Sequence, residues 1–208
     1  NKTCTITNDD QPGTIKIIKN TIGGDGTFEF IVAGPTATST AIITSGNTGD
    51  TGFITVDAGN YSIAELSQLG WDLTDSSCTS GTPDGFTVPN GGSVTCTFEN
   101  TQRGNIVIQK VTIGGDDSFE FITDYSAPFN LSEGGSNDSG LIVPGIYSVA
   151  ESQLAGWVNT DATCSDGSDP SSIELGAGET VTCTFTNNKP AAQIDLTPLK
   201  AYNAIEDE

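Results

Sequence analysis

The sequence of 208 residues has no histidine, no methionine and only seven lysine or arginine residues. Without histidine, a Ser–His–Asp triad and a histidine-based metal site are excluded. The seven basic residues face 27 acidic ones, and the net charge of −20 argues against binding to nucleic acid or to an anionic membrane surface. No stretch reaches the roughly 18 apolar residues that a transmembrane helix needs. We therefore expect no cofactor, no bound metal and no membrane insertion of this segment.

The sequence does contain a tandem repeat. Residues 13–100 and 104–187 are two copies of one unit, with Ile-Gly-Gly-Asp, Phe-Glu-Phe, Tyr-Ser-x-Ala-Glu and Gly-Trp in the same order. Each copy closes on a Thr-Cys-Thr-Phe-x-Asn segment, at 95–100 and 182–187. Tandem repetition is typical of arrays, which provide length or present a binding part.

Four of the five cysteines lie at equivalent places in the two copies. Cys78 and Cys96 belong to the first copy, and Cys164 and Cys183 to the second. There is no Cys-x-x-Cys motif, which argues against zinc. We predict one disulfide within each copy and an oxidising, extracellular environment. Two buried free thiols in each copy are the alternative.

The two ends of the chain do not belong to either copy. Residues 3–8 contain the closing segment a third time, so we predict that 1–12 is the closing strand of a preceding unit or a strand donated to a neighbouring subunit. Cys4 and Asn8 would then pair with residues of that other unit. Residues 191–208 do not continue the repeat, and we interpret them as the opening strand of a further domain or as a linker to it.

Apolar and polar residues alternate in short runs, as at 15–19 and 28–32. Clusters of glycine, asparagine, aspartate and proline separate these runs every ~8–12 residues, and no helical period is sustained. About seven short strands per copy predict an all-β fold of two tandem, Ig-like antiparallel β-sandwiches, at 13–103 and 104–190. The short link at 101–103 predicts a semi-rigid rod.

Taken together, these segments resemble the prealbumin-like, collagen-adhesin B-type (SpaA-like) repeats of cell-surface proteins and pilins. The matching features are a lysine that ends the first strand, the Phe-x-Phe strand, Gly-x-Tyr-x-x-x-Glu at 59–65 and 145–151, the Gly-Trp pair and the closing Cys-Thr-Phe-x-Asn. The resemblance implies a secreted two-sheet sandwich at the cell surface, used as a structural or adhesive module. Its partners would be neighbouring repeats or identical subunits in a fibre or array.

Many members of this family are cross-linked by a Lys–Asn isopeptide bond whose formation a glutamate assists. The resemblance assigns these roles to Lys19, Asn100 and Glu65 in the first copy. The equivalent residues of the second copy are Lys110, Asn187 and Glu151. Strand alternation places all of these side chains in phase with apolar neighbours, so we expect them to point into the interior.

Burial would also supply the chemistry of that bond. It favours the neutral form of an amine, and a neutral lysine can attack the asparagine side-chain carbonyl while the glutamate transfers the protons that let ammonia leave. The alternative is a buried Lys–Glu ion pair, with the asparagine bonded to the backbone. Lys16 and Asn188 are nearby candidates that are out of phase with the interior.

The sequence supports one main function and one alternative. The main interpretation is a structural module of a secreted cell-surface stalk, pilus-like fibre or adhesin. The alternative is an adhesin domain that binds a glycan or matrix ligand, for which the best candidate is the Thr/Ser/Gly-rich stretch at 33–51, longer in the first copy. Trp71 and Trp157 are predicted to be core residues rather than sugar-stacking ones. Apart from autocatalytic cross-linking, we expect no enzyme activity.

Overall fold

The computed structural model describes residues 11–191, and every regular element in that range is a β-strand. The strands of the first copy are β1 (Gly13–Ile22), β2 (Thr27–Ala33), β3 (Thr38–Ile43), β4 (Thr48–Asp50), β5 (Ile54–Val56), β6 (Gly59–Glu65), β7 (Trp71–Cys78), β8 (Phe86–Val88) and β9 (Ser93–Gln102). Those of the second copy are β10 (Asn105–Ile113), β11 (Phe119–Thr123), β12 (Phe129–Leu131), β13 (Ser136–Asp138), β14 (Gly145–Tyr147), β15 (Val149–Glu151), β16 (Val158–Cys164), β17 (Ile173–Leu175) and β18 (Thr180–Asn188).

Each copy thus has nine strands rather than about seven. The additional strands of the first copy, β4 and β8, are only three residues long, too short for the alternation of apolar residues to reveal them. The predictions for the two ends of the chain, with Cys4 and Asn8, fall on residues 1–10 and 192–208, which lie outside the described residues.

Two sheets face each other in the first copy, in the strand orders β4-β1-β9-β7 and β3-β2-β6-β8, with β5 also paired to β1. The second copy repeats the first sheet as β13-β10-β18-β16 and divides the other between β12-β11-β15 and β14-β17. The fold is the all-β sandwich expected from the sequence. Its pairs are antiparallel except that the first strand of each copy runs parallel to the last, β1 to β9 and β10 to β18.

Each copy buries its own core. β1 alternates strictly between buried and partly exposed residues, because successive side chains of a strand point to opposite faces. Phe28 packs edge-on against Trp71, and Phe119 against Trp157, with ring centroids 5.2 Å apart in each pair. Both tryptophans therefore lie in or against the core, as predicted.

The link between the copies is shorter than the sequence suggested. Residues 101 and 102 belong to β9, because they pair with Asp72 and Trp71 of β7. Only Arg103 and Gly104 separate β9 from β10.

The stretch 33–51 is not an inserted loop. It forms β3 and β4, whose counterparts in the second copy are β12 and β13. Part of the extra length lies in β3, which has six residues where β12 has three. The stretch therefore extends an edge strand of the sandwich, a role that sequence comparison of the copies could not distinguish from a loop.

Candidate cross-linking site

The parallel pairing of β1 and β9 determines which inward-facing residues meet. In this register Lys19 lies opposite Phe98, and Thr21 lies opposite Asn100. Lys19 and Asn100 are therefore diagonal neighbours on the inner face of adjacent strands. Glu65, the last residue of β6, approaches them from the facing sheet.

The three side chains of the first copy contact one another. Lys19 Nζ donates a hydrogen bond to Asn100 Oδ1 and lies 3.2 Å from Glu65 Oε2. Asn100 Nδ2 donates to the other carboxylate oxygen of Glu65, Oε1, at 2.5 Å. Lys19 is 0% and Asn100 2% exposed, and the glutamate side chain is 3% exposed. The set is closed on itself and shielded from water.

The second copy builds the same set. Lys110 Nζ donates to Asn187 Oδ1 at 2.8 Å and lies 3.3 Å from Glu151 Oε2. Asn187 Nδ2 donates to Glu151 Oε1. Here the amine also donates to two backbone carbonyl oxygens, those of Val111 and Phe185, each at 3.2 Å. The repeated geometry shows that the sequence pattern, and not a local accident of packing, brings these side chains together.

The environment favours the reactive form of both lysines. Burial lowers the pKa of the Lys19 and Lys110 amines below the ordinary 10.5, and the neighbouring glutamates oppose that shift only partly. An aromatic ring covers each amine: Nζ lies 4.4 Å from the ring centroid of Phe28 in the first copy and 4.2 Å from that of Phe119 in the second. Sequence reasoning did not assign this role to the rings, although Phe-Glu-Phe occurs in both copies.

The Lys–Glu ion pair of the alternative is present in both copies, but the asparagine does not bond to the backbone as that alternative expects. Each asparagine bonds to the lysine and the glutamate rather than to the backbone. Glu65 Oε2 and Glu151 Oε2 are buried with no other hydrogen-bond partner among residues 11–191 and face the lysine amine, at 3.2 and 3.3 Å.

The nearby candidates that are out of phase do not enter the interior. Lys16 lies on the outer face of β1 and pairs with Asp50 at 3.1 Å. Asn188 is partly exposed on the face of β18 opposite to that of Asn187.

Each copy also contains a disulfide beside the candidate site. Cys78 is bonded to Cys96, and Cys164 to Cys183. In each pair the two cysteines lie directly opposite each other on antiparallel strands, β7 with β9 and β16 with β18. The disulfide therefore holds the last strand of a copy to one neighbour, while the lysine set joins that strand to its other neighbour.

Within residues 11–191, no group of three or more acidic, cysteine or histidine side chains is arranged to hold a metal ion. The same part of the chain forms no helix with the length and apolar character that a membrane crossing needs.

Two family models match the chain, at residues 15–102 and 123–185, and both describe a prealbumin-like fold domain. The chain belongs to this family. The resemblance inferred from the sequence is thereby confirmed for both copies. A comparison with curated proteins finds no match.

Solved structures similar to this prealbumin-like chain share little sequence with it. The Bacillus anthracis TIE protein is 18% identical with a TM-score of 0.38, over 86% of this chain and 34% of its own, so this chain spans about a third of that protein. The major pilin T-13 of Streptococcus pyogenes is 15% identical with a TM-score of 0.34, over 86% of this chain and 97% of the pilin. An adhesin from Mobiluncus mulieris, described as containing intramolecular disulfide, isopeptide and ester cross-links, is 14% identical with a TM-score of 0.35, over 79% of this chain and 85% of the adhesin.

Proposed function

We propose that this chain is a structural segment of a secreted cell-surface stalk, pilus-like fibre or adhesin. Each sandwich would be locked by its disulfide and by an isopeptide bond, Lys19–Asn100 in the first and Lys110–Asn187 in the second. Its partners are neighbouring repeats or identical subunits. The observation that carries the proposal is the buried contact of lysine and asparagine across the parallel pair of first and last strands in both copies.

The strand order suits a chain under tension. Because β1 and β9 are parallel, the start of β1 and the end of β9 lie at opposite ends of the pair. A pull on the two ends of the sandwich therefore loads the hydrogen bonds of this pair in shear, all together rather than one after another. A covalent bond between Lys19 and Asn100 would carry that tension directly. The chain between these two residues, which are 81 positions apart, could then not be extended.

The bond would form within the set of side chains without an external reagent. The neutral amine of Lys19 attacks Cγ of Asn100, which forms the C–N bond and moves an electron pair onto Oδ1. Glu65 takes one of the two protons on Nζ and gives a proton to Nδ2. The Cγ–Nδ2 bond then breaks, Oδ1 returns to a carbonyl, and ammonia leaves. The positions of the two carboxylate oxygens, one beside Nζ and one bonded to Nδ2, suit these transfers.

Intact-mass measurement of the reduced protein tests the proposal. We expect a mass lower than that of the sequence by two ammonia molecules. Peptide mapping should recover Lys19 joined to Asn100, and Lys110 joined to Asn187. An unmodified mass would overturn the isopeptide part of the proposal.

Force measurement tests the structural role separately. Pulled from its two ends, the native chain should resist extension within the cross-linked loops. A Glu65→Gln/Glu151→Gln variant should extend by the length of both sandwiches outside the two disulfide loops, 78–96 and 164–183. If the cross-linked chain extends as far as this variant does, the bonds do not carry tension.

The alternative function, ligand binding, has one supporting observation. A groove of about 540 Å³ in the first sandwich is lined by polar groups that include Asn60, Ser62 and Asp84. Gly34 lines this groove. In the second copy the equivalent position is Tyr125, whose ring packs against Tyr147 with centroids 5.8 Å apart. Screening the chain against glycans and matrix proteins, with Asp84→Ala as the variant that removes a polar lining group, tests this role.

A further inference from the structure

The short link between the sandwiches is fastened to the first of them. The backbone N–H of Arg103 donates to Gly70 O at 2.8 Å. Its guanidinium donates twice to Asp72, from Nε to Oδ2 and from Nη2 to Oδ1, both at 2.8 Å. Two parallel bonds of this kind restrain direction as well as distance. Arg103 is the only arginine in the sequence.

A turn of the second sandwich packs against the same end of the first. This turn connects β17 to β18, and the N–H of its Gly178 donates to Gln102 O at 3.2 Å. A β-carbon added to Gly178 would lie 2.2 Å from Gly23 O and 2.6 Å from Gln102 Oε1. One added to Gly23 would lie 2.7 Å from the backbone of Ala177. The two turns therefore approach so closely that only glycine fits on either side.

Part of this contact recurs where the chain enters the first sandwich. Gly91, equivalent to Gly178, donates its N–H to Gln11 O at 3.1 Å. Gln11 and Gln102 each stand two residues before the glycine that leads into the first strand of a sandwich. The glutamine contact thus belongs to the start of each sandwich. The contact with Gly23 is particular to the place where two sandwiches meet.

We propose that the end of the first sandwich formed by Gly23, Asp72 and Gln102 is a docking surface for the β17–β18 turn of the sandwich that follows it. Arg103 acts as a latch, by which we mean that its paired hydrogen bonds to Asp72 fasten the link to the first sandwich. With only two residues in the link, one of them held at both its backbone and its side chain, few torsions remain free to turn one sandwich against the other. The two sandwiches should therefore tumble in solution as one rigid body. This inference does not depend on the isopeptide bonds.

Gly178→Ala tests the docking contact, with Gly140→Ala as its matched control. Both glycines belong to the second sandwich and have φ of +68°, so the backbone cost of alanine is similar, but an added β-carbon at Gly140 meets nothing within 4 Å. Residual dipolar couplings of the full chain measure the orientation of each sandwich. We expect one shared alignment tensor for the native chain and for Gly140→Ala, and two different tensors for Gly178→Ala.

Asp72→Asn tests the latch, and Asp50→Asn, which breaks the exposed pair with Lys16, is its control. An arginine-specific protease can cut this chain only after Arg103. Cleavage of a folded protein follows the population of its open form, so we expect Asp72→Asn and Gly178→Ala to be cut about fivefold faster than their controls. The Gly178 variant keeps its Asp72–Arg103 pair, so faster cleavage there reports opening of the junction itself. Two tensors in the native chain, or equal cleavage of variants and controls, would overturn the proposal.

Discussion

Lys110 Nζ lies 2.8 Å from Asn187 Oδ1, although 77 positions separate these residues in the chain. The equivalent contact in the first sandwich joins Lys19 to Asn100 over 81 positions. Each contact spans the first and last strands of its sandwich, so a bond formed there would enclose nearly the whole domain. Three expected outcomes distinguish such a lock from an ordinary buried cluster.

Glu151→Gln should abolish cross-linking in the second sandwich alone. A glutamine cannot take and return the protons that the reaction moves, and the first sandwich has its own glutamate. Intact mass should then show the loss of one ammonia instead of two. The second sandwich should lose about 4–5 kcal/mol of unfolding free energy, because a link of this span no longer restrains the unfolded chain.

The control for that variant is Glu174→Gln, which changes an exposed glutamate of the same sandwich. It should leave both the mass and the unfolding free energy as they are in the native chain. If Glu151→Gln still loses two ammonia molecules, this glutamate has no part in the reaction.

The rate of cross-linking should rise with pH. Lysine reacts as the neutral amine, and burial lowers the pKa of Lys19 below 10.5 in the folded chain. The ammonia loss that follows refolding of unreacted chain should therefore reach its maximum rate at a pH below 10.5. Between the lowered pKa and 10.5 the unfolded chain binds more protons than the folded one, so the stability of an unlinked sandwich should rise with pH across that window. A rate that falls as the pH rises from neutral would contradict this assignment.

Removal of the first disulfide should have a larger effect when the isopeptide bond is absent. The Cys78–Cys96 loop lies inside the larger loop that Lys19 and Asn100 would close. In a Glu65→Gln background, the double change Cys78→Ser/Cys96→Ser should cost about 3 kcal/mol in denaturant unfolding. In the native background the cost should be smaller, because the unfolded chain is already restrained. Equal costs in the two backgrounds would argue that no outer loop exists.

Tyr125→Phe should not destabilise the second sandwich. The Tyr125 hydroxyl is buried without a hydrogen-bond partner in the described part of the chain, and burial raises its pKa to about 12. Removing an unsatisfied hydroxyl should leave the melting temperature unchanged or raise it. Ultraviolet titration should show the loss of one tyrosine that ionises near pH 12.

Tyr147→Phe is the comparison for that experiment. The Tyr147 hydroxyl donates to Val143 O at 2.6 Å, so its removal should cost about 1 kcal/mol. A Tyr125→Phe variant that loses as much would indicate a hydrogen bond to water at Tyr125.

Much of the candidate site could be read from the repeat and from strand alternation. Side chains of a strand alternate between two faces, so the phase of Lys19 with Ile15 and Ile17 was enough to predict its burial, and the structure places it at 0% exposure. The same reasoning applies to Asn100 beside Cys96 and Phe98 on β9. Equivalent cysteines in both copies were enough to suggest which ones pair.

Local periodicity along the chain is enough to predict the all-β class, the two copies and the inward direction of the lysine, glutamate and asparagine in each candidate cross-linking set. It does not predict that β1 lies parallel to β9, that the Phe28 ring covers the Lys19 amine, or that Gly178 packs on Gly23, because these contacts arise only in the folded chain. A strand shows the same alternation whether its neighbour runs parallel or antiparallel to it. Which strands become neighbours is set by how whole sheets pack, between residues that lie far apart along the chain.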